Sequence, residues 1–66
     1  MTKVRALRIE NDLTAKDLAR NLKINASSLS YVENRRARAS DKIRYKLSGF
    51  FGVHEQELFD GERYAV

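Results

Sequence analysis

Residues 13–34 read LTAKDLARNLKINASSLSYVEN. Two short amphipathic segments, 13–22 and 25–34, lie within this stretch, separated only by Lys23 and Ile24. Leu18, Ala19, Leu22, Ile24, Leu29 and Val32 are apolar at the intervals that let two crossed helices share one core. The outward positions of the second segment, Ala26, Ser27, Ser30 and Tyr31, are small or amphipathic and carry no charge. The pair predicts two helices held at an angle, the second with an uncharged outer face.

Outward from this pair, the chain predicts helices throughout, over about 2–11, 15–22, 26–33, 41–51 and 55–59. Val4, Leu7 and Arg8 share one face of the first. Thr14 is a good N-cap for the second, with Asp17 three residues on in the capping-box position. Asn25 caps the third in the same manner, with Ser28 at its third position. From Asn34 to Ala39 the apolar period lapses into a basic loop. Ser40 restarts a helix with Asp41 near its positive end, and Ile43, Leu47, Phe50 and Phe51 form its expected buried stripe. Gly52 stops it, because glycine takes the left-handed cap conformation without strain. The last short helix has Glu57 in its first turn and Gly61 beyond its end. The expectation is an all-α single domain over 1–66, a compact bundle of about five short helices sharing one core.

Composition narrows the chemistry. A chain of 66 residues buries only ~60% of the surface it exposes when unfolded, so a partner chain would add to a modest stability. There is no cysteine and one histidine, which excludes disulfides and thiolate metal sites and leaves no histidine cluster for a metal. No stretch approaches the ~18 apolar residues of a membrane span, and the N-terminus lacks a signal-peptide core. The expectation is a whole working protein of the cytoplasm. Charge is unevenly placed: residues 1–47 hold twelve of the thirteen basic side chains and five acids, whereas residues 48–66 hold Arg63 and four acids. A basic body with an acidic end suits docking of a polyanion by one face.

The order and spacing of Leu7-Arg8, Leu13-Thr14, Asp17-Leu18-Ala19, Leu22, Leu29, Val32-Glu33-Asn34, Phe51-Gly52-Val53 and Glu57-Leu58-Phe59 resemble the phage repressor and Cro (Xre-like) family of helix-turn-helix DNA-binding domains. The likeness covers roughly residues 3 to 60. It implies a lambda-repressor-like fold with a central helix-turn-helix, its third helix entering the major groove while the second crosses the backbone above it. Carried onto this chain, the base-reading positions are Ala26, Ser27, Ser30 and Tyr31. Serine donates to or accepts from several bases, and an alanine methyl packs on a thymine methyl. Phosphate contacts fall to Lys16, Asn34, Arg35, Arg36, Arg38 and Lys42, with backbone amides at the starts of the second and fourth helices adding to the anion site. Relatives also pair an arginine on the first helix with a glutamate ending the third, here Arg8 and Glu33. The family further implies a double-stranded DNA partner and a transcriptional regulator, a repressor before an activator, since blocking requires only binding. Phage lysogeny, mobile-element, restriction-modification and antitoxin control all use such domains, in a bacterial nucleoid or a phage-infected host.

The chain departs from the family's pattern at five places. Ala15 stands where many relatives carry a glutamine, Lys23 and Arg35 where glycine is frequent, and Ala39-Ser40 lacks a nearby proline. Phe50 replaces a small residue, and either fills core or protrudes toward a second subunit. Tyr64, Ala65 and Val66 are apolar for a tail, so residues 60–66 are expected to join a homodimer contact made by Phe50, Phe59, Tyr64 and Val66. His54 reads as a helix-start residue near solvent. The inventory holds no glycine-rich phosphate loop, and the fold offers no concavity for a typical small-molecule substrate. No enzyme, cofactor or metal is expected. A rival reading is a protein-interaction adaptor or antitoxin-like module that keeps the fold with weak or no specific DNA binding. Nonspecific RNA or single-strand binding fits less well, because Tyr31, Tyr45 and Tyr64 are not spaced as a stacking platform.

Overall fold

Caps and turns divide the chain into five helices. The computed structural model describes residues 1–66 as α1 (Lys3–Glu10), α2 (Ala15–Leu22), α3 (Ala26–Glu33), α4 (Asp41–Phe51) and α5 (Glu55–Leu58). The first helix is one residue shorter at each end than expected, because Thr2 is its N-cap and Asn11 its C-cap. The fifth stops at Leu58, and Phe59 is already extended. The α2 start is a full capping box: Asp17 N–H donates to Thr14 Oγ1 at 3.0 Å, and Thr14 N–H donates back to the Asp17 carboxylate at 3.3 Å. Asn25 Oδ1 accepts from the N–H groups of Ser27 and Ser28, and Ser40 Oγ accepts from Ile43 N–H.

Lys23 closes α2 in the left-handed conformation, with φ 56°. A side chain there carries strain that glycine would not. The Lys46 ammonium reaches across from α4 and donates to Leu22 O at 2.7 Å, satisfying a carbonyl that a helix end leaves without a partner. Turn and helix end are thereby tied to the body.

The core is assembled from every helix. Val4, Leu18, Leu29 and Leu47 are fully buried, and Ala19, Leu22, Val32, Ala39, Leu58, Phe59 and Ala65 complete the cluster. Ile43 and Phe51 pack against it from α4. Phe50 does not join them. It is 44% exposed, because it follows Leu47 by three residues but lies on the outer side of the stripe, with its ring edge-on to Phe51 at 5.1 Å.

After α5 the chain turns back on itself. Phe59 pairs with Ala65 in an antiparallel bridge, Val66 N–H donates to Leu58 O at 3.0 Å, and Lys3 N–H donates to Val66 O at 2.7 Å. The tail expected to project toward a partner is bound to its own body. No helix is long and apolar enough to cross a membrane.

Candidate nucleic-acid interface

The third helix is buried along one side and open along the other. Leu29 and Val32 point into the core, whereas Ala26, Ser27, Ser30 and Tyr31 are all exposed. Spacing explains the split. Positions 29 and 32 share one face, while 26, 27, 30 and 31 recur at the helical interval on the opposite one. All four candidate base-reading residues therefore share the solvent face of one short rod.

That rod is gripped at its C-terminal end by the first helix. Arg8 Nε and Nη2 donate to both carboxylate oxygens of Glu33 at 2.8–3.1 Å, and Arg8 Nη1 donates to Leu13 O at 2.8 Å. Glu33 is buried, and the Arg8 side chain is 14% exposed. The Thr2 hydroxyl adds a buried hydrogen bond to Glu33 O at 2.8 Å. A caps-and-periodicity reading identifies Thr2 only as a helix start. Its second partner lies 31 residues away, and no local signal points to it.

The candidate phosphate ligands are spread over several places. Ser30, Tyr31, Asn34 and Arg36 line one shallow polar depression at the end of α3. There the Asn34 amide folds back, donating to Ser30 O at 2.9 Å. Asn34 and Arg35 also line a neighbouring depression with Arg5, a basic residue of α1 that sequence reasoning omitted from the set. Lys16 and Lys42 stand exposed in the first turns of α2 and α4.

Arg35 and Arg38 are exposed but engaged. Their guanidinium carbons lie 5.9 and 5.6 Å from the centre of the Tyr64 ring, within the range of a cation–π attraction. Arg35 also sits 3.6 Å from the Asp60 carboxylate and has a left-handed backbone, φ 60°. The basic loop is therefore an ordered element. Arg36 N–H donates to Tyr31 O at 2.8 Å, and Ala39 N–H donates to Arg63 O at 2.9 Å.

The four residues expected at a dimer contact do not form one surface. Phe59 is buried in the chain's own core, and Tyr64 is half-buried beside the two arginines. Phe50 lines a depression beside the α2–α3 turn with Asn21, Lys23 and Tyr45, whereas Val66 lines the one containing Arg5 and Arg35. The expectation treated the tail as a free apolar strip. Backbone pairing and burial of Ala65 draw it inward instead.

Hydrogen bonds from the Thr14 side chain and backbone, aided by nearby Arg20 and Lys16, hold the Asp17 carboxyl below its ordinary value of 3.8. His54 is exposed at the start of α5, with its backbone N–H donating to the Glu57 carboxylate at 2.9 Å. No three histidine or acidic side chains converge as a metal cage would require.

A short helix with an uncharged outer face, crossed by a second helix and flanked by an ordered arginine loop, defines a helix-turn-helix DNA-binding domain. Comparison with known families agrees: the helix-turn-helix family model matches residues 4–58. The chain belongs to this family, the Xre and lambda-repressor-like class of helix-turn-helix domains. No curated protein and no solved structure matches it significantly.

Proposed function

We propose that this domain is a sequence-specific transcriptional regulator that acts as a repressor by occupying an inverted-repeat operator as a dimer. One observation carries the reading: Ala26, Ser27, Ser30 and Tyr31 lie together, exposed and uncharged, on a helix whose inner face and C-terminal end are fixed to the body. Rigid presentation of short side chains suits direct readout in the major groove, where a serine hydroxyl reaches base edges and the Tyr31 ring meets a thymine methyl or a phosphate.

Affinity in this reading comes from Lys16, Arg35, Arg36, Arg38 and Lys42, joined by Asn34 and by the amides that open α2 and α4. The second copy meets the first through the face around Phe50, the most exposed of the residues assigned to a dimer contact. The globule measures 27 × 21 × 21 Å. In this reading two copies place their third helices in successive major-groove half-sites, ~34 Å apart. The setting is the cytoplasm of a bacterium or of an infected host, where the duplex is accessible.

Selection from a random duplex pool tests the proposal. Enrichment of an inverted repeat, with two chains per duplex in sedimentation equilibrium, is the expected result. Absence of enrichment at low salt would overturn it in favour of a protein-interaction adaptor. A chain that stays monomeric on the selected duplex would remove the dimer from it.

A further inference from the structure

Residues 59–66 lie beyond the segment matched by the family model, which ends at residue 58. They nevertheless form a defined turn. Asp60 Oδ1 accepts from the N–H groups of Glu62 and Tyr64 at 2.9 and 3.0 Å, and Asp60 N–H donates to Tyr64 O at 2.9 Å. The Phe59–Ala65 bridge closes the base of the turn. Arg63 O takes the Ala39 N–H, which joins the turn to the end of the basic loop. Tyr64 is thus held from both sides, and its ring is set against Arg35 and Arg38 at 5.9 and 5.6 Å.

We infer that Tyr64 is a positioning residue for the phosphate-binding loop, and that the turn around it supports that loop from behind. The inference rests on the DNA-binding reading above. Two arginines three residues apart repel each other, and both side chains are long and flexible. Left free in solution, they would have to be ordered at the moment of binding, which opposes association. A shared aromatic ring attracts both cations and orders them beforehand. A guanidinium held beside a ring can still turn N–H groups toward phosphate oxygens. The Arg35 side chain remains 52% exposed, with one terminal nitrogen 3.6 Å from the Asp60 carboxylate that a phosphate would displace. Tyr64 need not touch DNA to act; it works through the arginines.

The test uses the full chain, a labelled duplex of mixed sequence and two substitutions. Tyr64→Leu keeps apolar bulk without the ring face, and Tyr64→Phe keeps the ring. Tyr64→Leu is expected to weaken binding about three- to tenfold, whereas Tyr64→Phe binds like the parent. In a background carrying Arg35→Gln and Arg38→Gln, Tyr64→Leu is expected to add no further loss. Ring-current shifts of the Arg35 and Arg38 side-chain protons in the free protein should persist in Tyr64→Phe and vanish in Tyr64→Leu. An equal loss in the glutamine background would mark a general structural role and overturn the inference, as would parental affinity for Tyr64→Leu. If the parent chain binds no duplex at any salt concentration, the DNA-binding reading itself falls and this inference with it.

Discussion

Arg8 and Glu33, 25 residues apart in sequence, are joined by three hydrogen bonds that use both oxygens of the carboxylate. With the Arg8–Leu13 bond and the Thr2–Glu33 bond, this pair sets the angle at which α3 leaves the body. Replacing either partner with alanine strands a buried charge and should cost about 3–5 kcal/mol. In a double-mutant cycle of Arg8→Ala and Glu33→Ala, followed by chemical denaturation, the second substitution should cost much less than the first. Additive losses would show that the two act separately.

Arg36 lines the depression at the end of α3 and has no ion-pair partner of its own. Arg36→Ala should weaken every duplex sequence alike and lower the slope of log affinity against log salt by about one unit. Titrations at several salt concentrations measure this. A loss confined to one base pair of the operator would place Arg36 among the base-reading residues instead.

Ser27 and Ser30 should behave in the opposite way. Alanine at either position leaves the charge unchanged, so the salt slope should stay at the parental value. Discrimination at one base pair of the selected site should fall by about 1–3 kcal/mol for a lost base contact. Competition between the selected duplex and single-base variants reads the effect directly.

Lys23 has a φ of 56°, a region that disfavours a Cβ. Lys23→Gly should raise stability by roughly 1 kcal/mol, because relief of strain outweighs the added freedom of the unfolded chain. Lys23→Ala, which keeps the Cβ, should bring no such gain. Thermal or denaturant unfolding of the three proteins makes the comparison.

Asp17 supplies the pH dependence. Its carboxyl titrates below 3.8 in the folded chain, so its contribution is fully present above that pH. The contribution is lost as pH falls through the lower folded value. Asp17→Asn should therefore be less stable than the parent at neutral pH, and the difference should shrink on acidification below 3.8. A gap that stays constant with pH would show that the charge contributes nothing.

The helical frame and the exposed face of α3 were legible in the sequence because their causes are local. Thr14 and Asp17 are three residues apart, as are Ser40 and the Ile43 N–H it receives, and a cap needs no information from elsewhere in the chain. Leu29 and Val32 declare the inner face of α3 by spacing alone, which leaves 26, 27, 30 and 31 to solvent. Arg8 and Glu33 were reachable only through family resemblance, since nothing in their surroundings links them.

The return of the chain after α5 was different. Tyr64, Ala65 and Val66 look the same to any local pattern whether they face a second copy or their own body. Folding decided between these, because the Phe59–Ala65 bridge satisfies backbone groups and buries Ala65 completely. That bridge sets Tyr64 beside Arg35 and Arg38. Periodicity records which face of a helix is apolar. Only packing in three dimensions settles which distant segment covers it.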